Sequence, residues 1–199
     1  MEAFINNSRS TSVIPIESKL LSERRTVFIE DDITMKSANE FKHTIMYLLH
    51  EDPDQPITVH ISSNGGEIDA GLLIYDILKG ITCEVNVLCT GKAFSIAAIL
   101  LAAAKPGHRY ILPRSRVLLH EPLIAGGVGG SATNIQKTAE EIMARKRDIV
   151  NMLSADTGRS KEEIEKAISF DNFMSAQEAI DFGIADKIIT SLFIEGEQL

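Results

Sequence analysis

Ser95 stands between two contrasting stretches of sequence. Upstream, Cys83-Glu-Val-Asn-Val-Leu-Cys89 alternates apolar and polar like a strand, and downstream Ile96-Ala-Ala-Ile-Leu-Leu-Ala-Ala-Ala104 is small, apolar and helix-periodic. Gly91 is expected to allow a tight turn between them. A serine at a strand-to-helix junction sits where unpaired backbone N–H groups and the positive end of the helix dipole converge. Its hydroxyl then has two uses: the common one, an N-cap, or the rarer one, a nucleophile held at an exposed elbow.

A nucleophilic serine needs a base, and the chain offers five histidines. His43 and His50 fall on a polar helix face or its end, His60 alternates within a strand, and His108 follows Pro106-Gly107 in a turn; solvated or structural roles suit all four. His120 differs because it ends an apolar strand just before Glu121-Pro122 and a glycine-rich loop. Such strand ends are where α/β folds place reactive groups. Gly65-Gly66, between a strand and a helix, is either a plain turn or a place where backbone N–H groups approach a developing oxyanion. Among the acids Asp69, Asp76, Asp156, Asp171, Asp181 and Asp186, Asp171 lies between Phe170 and Phe173. It is therefore expected to be partly buried and oriented by its surroundings.

These groups are carried by alternating elements. Residues 1–15 read as a flexible arm and 17–25 as a short helix. Strands are expected at 26–29, with the acidic exit Glu30-Asp-Asp32, and at 57–61, followed by a glycine turn over 62–66. Helices are expected from a Ser37/Glu40 capping box to about His50, over 67–78, and from 132 to about 154. The last is long, marked by Ile135, Ile142, Ile149, Met152 and Leu153, and either packs across the body or projects from it. Further capping boxes, Ser160/Glu163 and Ser175/Glu178, start two short helices, the second ending at Gly183. Short strands fit 109–112, 116–120 and 187–190. Strand-helix alternation over one 199-residue chain predicts a single layered α/β domain.

Composition narrows the function. A net charge of −8 without a Lys/Arg stripe speaks against a nucleic-acid partner. Cys83 and Cys89 alternate onto one face of one strand, too far apart to bridge, and read as buried apolar residues of a reducing compartment. No His/Cys spacing suits a metal. Without an apolar N-terminal stretch or a run long enough to span a bilayer, a cytoplasmic location is expected.

Four segments, in order, resemble the proteolytic subunit of the Clp protease family: Ser62-Ser-Asn-Gly-Gly-Glu-Ile-Asp-Ala-Gly-Leu-Leu-Ile-Tyr-Asp76, Gly91-Lys-Ala-Phe-Ser-Ile-Ala97, Leu112-Pro-Arg-Ser-Arg-Val-Leu-Leu-His-Glu-Pro-Leu123, and the stretch that opens Asp171-Asn-Phe-Met-Ser and closes at Asp186. The likeness spans residues 20–190. It implies the layered Clp/crotonase α/β fold of repeated β-β-α units, with an N-terminal arm over 1–16, one peptidase domain over 17–199 and a projecting handle about 122–155. It implies a serine endopeptidase that degrades unfolded proteins to short peptides, with Ser95 as nucleophile, His120 as base and Asp171 orienting His120. The backbone N–H groups of Gly66 and Ile96 would form the oxyanion hole. Gly65, Leu123, Ile124 and Ala125 would hold substrate as an added strand. The implied partners are further copies of the chain, in two stacked heptameric rings, and a ring-shaped AAA+ ATPase that unfolds substrate and uses ATP. The subunit itself would need no cofactor or metal.

Departures from the family pattern set further expectations. Asn64 stands where proline is usual and is expected to loosen the glycine turn. Phe94 replaces a small residue and is expected to crowd the site or reshape its first pocket. Ala97 stands where glycine is common, and Ser169-Phe170 replaces a charged pair associated with ring stacking. Three alternatives stay open: a catalytically weak ring subunit assembling with an active paralogue, a crotonase-like acyl-CoA enzyme, and a Ser-Lys peptidase using Lys92.

Overall fold

A computed structural model describes residues 2–7, 10–124 and 126–194 of the chain. The mixed α/β architecture is organised on one seven-stranded sheet. β3 (Thr26–Ile33), β4 (Ile57–Gly66) and β5 (Val85–Phe94) are parallel neighbours, and α2 (Met35–Glu51) and α3 (Ile68–Gly80) carry the chain between them. Parallel pairing requires such crossovers. β5 then changes partner along its length. Its first half, at Val87 to Cys89, pairs with β6 (Arg109–Ile111), and its second half, at Lys92 to Phe94, pairs with β7 (Arg116–Leu119). β6 leads on to β9 (Lys187–Ile188), and β7 to the antiparallel β8 (Asn172–Ser175).

The glycine-containing stretches read as turns lie inside strands. Residues 62–66 continue β4, and Gly91 lies within β5. On β3, Glu30 faces Ser62 but Asp32 faces Gly65, so β4 carries one extra residue. On β4, Ile61 faces Cys89 but Ser63 faces Ala93, so β5 carries two more. These are bulges, where glycine supplies the bend without ending the ladder. They explain why a turn signature appears in sequence at a place where the strand continues.

Four of the seven described helices start at side-chain caps. Ser160/Glu163 opens α6 (Lys161–Ile168) and Ser175/Glu178 opens α7 (Ala176–Phe182), both as expected, and Gly183 closes α7 at φ 94°. The first box is shifted one turn: Thr34 and Ser37, not Ser37 and Glu40, cap α2. Its Thr34 hydroxyl accepts from the Ser37 N–H, and the Ser37 hydroxyl accepts from the Thr34 N–H. Where an arm was expected to be flexible, β1 (Glu2–Asn7) and β2 (Ser10–Pro15) pair antiparallel, with Phe4 opposite Val13 and Ala3 opposite Ile14. Strand-forming residues on both sides favour this pairing. α1 (Ile16–Arg24) follows directly.

The core centres on α4 (Ile96–Ala103), in which every residue is buried. α5 (Ala132–Thr157) buries Ile149, Val150 and Leu153 only. Residues 132–148 leave the body, with Ile135 43% and Met143 50% exposed. The long helix therefore projects, and its root is tied down by Arg145–Asp69 at 2.9 Å and Lys146–Glu121 at 2.6 Å. Among the described residues no helix is long and apolar enough to cross a membrane.

The carboxyl-terminal segment is clasped to the sheet by Asp186. Its carboxylate accepts from Arg109 Nε at 2.9 Å and Nη2 at 2.6 Å, and from the Gly107 and Arg109 N–H groups. Arg109, 5% exposed, also donates Nη1 to the carbonyls of Asp156 and Gly183. Burial pushes the Asp186 carboxyl upward, but the hydrogen bonds from Arg109 and Gly107 outweigh it and hold the group below its ordinary value. A depressed folded value stabilises the fold above the unfolded carboxyl range, near pH 4, and is lost as pH falls through the lower folded value. Asp186→Ala strands a buried guanidinium and is expected to cost about 3–5 kcal/mol. Urea denaturation at neutral pH checks the size, and the gap between variant and parent should narrow in acid.

Candidate active site

Ser95 links β5 directly to α4 with φ 57° and ψ −127°. A serine in this sparsely populated region costs about 1–3 kcal/mol and persists only where its surroundings over-determine it. Here they do. The Ser95 N–H donates to the Leu118 carbonyl at 2.9 Å, continuing the β5–β7 ladder, and the Ser95 carbonyl accepts the Ala98 N–H of α4 at 3.0 Å. The hydroxyl makes no capping hydrogen bond. Of the two uses open to a serine at this junction, capping is thus not the one adopted.

Gly65 and Gly66 end β4 alongside this elbow. A Cβ on Gly65 would stand 2.7 Å from the Phe94 carbonyl oxygen and 2.9 Å from Ser95 Cβ, and φ is 91°. A Cβ on Gly66 would fall 2.1 Å from the Ile33 carbonyl oxygen, with φ 156°. Both glycines are therefore required by close approach, Gly65 to the serine turn and Gly66 to β3. Ile96, the first residue of α4, belongs to the helical turn whose N–H groups lack intrahelical acceptors. Behind it, Gly71 of α3 leaves room for the Ile96 side chain, which a Cβ there would meet at 2.0 Å.

His120 follows β7, the strand bonded to the Ser95 turn. Ser95, His120, Gly66 and Ile96 line one cavity of about 280 Å³, with Asn64, Ile68, Ile99, Pro122, Leu123 and Ile149. Among the described residues no lysine lines it, which speaks against a Ser-Lys pair: Lys92 alternates to the other face of β5 from Ala93. His120 is the one histidine in its wall among the described residues. Of the others, His108 Nδ1 lies 2.9 Å from Asn86 Oδ1 and the His60 ring packs edge-on to Phe28. A larger cavity, about 520 Å³ beside α1, α2 and β3, contains none of these groups.

The acid is the residue not brought in. Asp171 immediately precedes β8, whose Asn172 faces Leu119, so continuation of the register sets Asp171 opposite His120. Yet its side chain is exposed and no hydrogen bond joins it to His120 among the described residues. The expectation of partial burial fails because its aromatic neighbours are themselves exposed, Phe170 by 67% and Phe173 by 51%. His120 Nδ1 is buried and has no partner among the described residues. An unpaired buried polar atom costs about 1–3 kcal/mol.

Phe94 does not crowd the cavity. It shares a pleat with Leu118 and Phe173 across β5, β7 and β8, and its ring meets that of Phe173 edge-on at 5.8 Å. Leu123, 70% exposed, borders the cavity of Ser95, and both Leu123 and Ile124 border a second cavity of about 380 Å³ against α5. Ala125 lies outside the described residues. Ile68, Ile99 and Ile149, which give the cavity of Ser95 its apolar wall, carry no sequence mark beyond helical apolar periodicity.

The Clp protease family matches residues 8–192 of the chain. Three relatives illustrate the likeness. The ATP-dependent Clp protease proteolytic subunit 2 of Chlamydia trachomatis serovar D is 41% identical, with 94% of this chain and 90% of the relative aligned. Proteolytic subunit 1 of Chlamydia felis is 40% identical with the same coverage. Proteolytic subunit 1 of Protochlamydia amoebophila is 39% identical over 93% of this chain and 92% of its own length.

Because Gly65 abuts the elbow, Gly65→Ala is expected to displace Ser95 while leaving the sheet formed. Labelling of Ser95 by a fluorophosphonate, quantified by mass spectrometry, should slow by at least about tenfold, since sub-ångström misplacement of a reacting group is costly. Far-ultraviolet circular dichroism should be unchanged.

Proposed function

The chain belongs to the Clp protease family, and on that premise we propose that it is a serine endopeptidase acting through Ser95, His120 and Asp171. The observation that carries the reading is the uncapped Ser95 hydroxyl, held on a strained elbow in the same cavity as His120 and Gly66. In the proposed step His120 removes the hydroxyl proton as Ser95 Oγ bonds to the scissile carbonyl carbon. The electron pair moves to the carbonyl oxygen, which the Gly66 and Ile96 N–H groups receive. The carbonyl re-forms as the peptide C–N bond breaks and His120 returns the proton to the departing amine; water, deprotonated by His120, then attacks the acyl-enzyme ester, releasing the acid product and restoring the Ser95 hydroxyl. Each oxyanion donor is worth about 2.7–4 kcal/mol. The wall formed by Ile68, Ile99 and Ile149 suits an apolar side chain next to the cleaved bond.

Asp171, opposite His120 by continuation of the β7–β8 register, takes the orienting role once its side chain reaches the buried His120 Nδ1. Leu123, Ile124, Ala125 and Gly65 hold substrate by main-chain hydrogen bonds. The exposed residues of projecting α5, Ile135 and Met143 among them, favour assembly into stacked rings. The relatives' names carry the words ATP-dependent, and a ring-shaped ATPase delivering unfolded protein in the cytoplasm is the corresponding partner. No cofactor is required in this subunit.

A second reading, a weakly active ring subunit beside an active paralogue, is favoured by one observation: Asp171 stands apart from His120. Fluorophosphonate labelling separates the two. The first requires an adduct on Ser95 in the purified chain that vanishes in Ser95→Ala and His120→Ala. The second requires no adduct until a paralogue is added. Under the first, Asp171→Asn is expected to lower kcat for a short peptide by as much as about 10⁴, with KM little changed.

A further inference from the structure

Two bulges lie upstream of the candidate site, and a buried serine hydroxyl closes each. In β5, Ser115, 2% exposed, accepts the Gly91 N–H at 2.8 Å and donates to the Cys89 carbonyl at 3.1 Å. In β4 the corresponding residue is Ser63, with no exposed surface. Its hydroxyl donates to the Asp31 carbonyl of β3 and accepts the Gly65 N–H at 3.0 Å. Both hydrogen-bonding capacities are thereby used, one across the sheet and one along the strand.

The position of Ser63 is what gives these bonds consequence. It is the residue at which both ladders of β4 change register: Ser63 and Asn64 together stand against Asp31 on one side, and Ser63 resumes pairing opposite Ala93 on the other. Asp31 responds with φ 56°, a left-handed conformation that its neighbour's hydroxyl bond helps to hold. From this point three residues lead to Gly66. The bulge re-aims the strand end, as bulges beside active sites do. Without the bridge the Gly65 N–H would lose the acceptor it meets in a buried setting, and the cheapest relief is movement of the glycine segment.

We propose that Ser63 is a positioning residue for the oxyanion hole: its hydroxyl fixes the path of residues 64–66 and so the direction of the Gly66 N–H. It touches neither substrate nor reacting atoms, and it does not line the cavity. The proposal rests on the peptidase reading above. It predicts a loss confined to the transition state, because a misdirected Gly66 N–H matters when charge develops on the carbonyl oxygen and not when substrate binds.

The test compares Ser63→Ala, Ser63→Cys and the parent chain, with active enzyme counted by fluorophosphonate titration. Expected for Ser63→Ala is a fall in kcat of about ten- to a hundredfold with KM within twofold. A peptide boronic acid, whose tetrahedral adduct presents an oxygen to the same donors, should lose affinity in parallel. Ser63→Cys, nearly isosteric and able to make both contacts weakly, should fall between the two, and it decides the matter if Ser63→Ala does not fold. Unchanged kcat and boronate affinity overturn the proposal, as does a rise in KM at constant kcat. If the parent chain itself takes no label and cleaves no peptide, the peptidase reading falls and the proposal with it. Labelling of the parent at Ser95 thus separates the two failures.

Discussion

The elbow at Ser95 is the constraint on which the rest of the arrangement depends. Left-handed backbone at a serine costs about 1–3 kcal/mol. It must be recovered from elements on either side. α4 supplies most of it: Ile96, Ile99, Leu100 and Leu101 are all buried, and each such side chain is worth about 1.5–3 kcal/mol. The alanines between them let the helix approach β4 and β5 closely, and Gly71 makes way for Ile96. An eight-residue helix has little stability of its own. Its position is set by this burial, and the elbow is the geometry that joins a fixed strand to a fixed helix.

The same logic explains why groups far apart in sequence converge. β4, β5 and β7 are parallel and end at one edge of the sheet, so Gly66, Ser95 and His120 arrive together. β8 runs antiparallel to β7 and begins where β7 ends, which is how Asp171 reaches the same edge from 51 residues beyond His120. The partner change along β5 is needed for this. If β6 accompanied β5 to its end, β7 could not lie beside the elbow or carry the Ser95 N–H bond to Leu118.

Much of this was legible in the sequence because it rests on local signals. Alternation and helical periodicity gave the order of elements, and Ser160/Glu163, Ser175/Glu178 and Gly183 marked helix ends through hydrogen bonds a few residues long. What escaped was non-local. Gly65-Gly66 and Gly91 carry the same conformational signature in a bulge as in a turn, and only the neighbouring strand distinguishes them. Thr34 displaced Ser37 as the α2 cap because Thr34 and Ser37 satisfy each other's N–H groups. Phe94 was expected in the site, but the pleat that β5 shares with β7 and β8 turns it onto Phe173. Asp171 lies in solvent because Phe170 and Phe173 beside it are exposed, and burial is a property of the whole fold. Resemblance to the Clp proteolytic subunit named Ser95, His120, Asp171 and Gly66 where residue chemistry alone left several histidines and acids in contention.

The two halves of the site are held very differently, and this bears on how it would work. Gly66 and Ser95 are locked by sheet pairing, by a fully buried helix and by close backbone contacts that admit no side chain. His120 and Asp171 sit at the ends of the two four-residue strands β7 and β8, with exposed neighbours on the acid side. On the proposed reading, oxyanion donors and nucleophile must match a transition-state position within a fraction of an ångström, and rigidity serves them. In the proposed mechanism the imidazole turns toward a hydroxyl and then toward a leaving nitrogen, and an acid partner has only to follow Nδ1. A site built this way can keep its rigid half assembled at all times. On the proposed peptidase reading, the one contact left to form is between Asp171 and His120 Nδ1, and making it would relieve a buried unpaired atom.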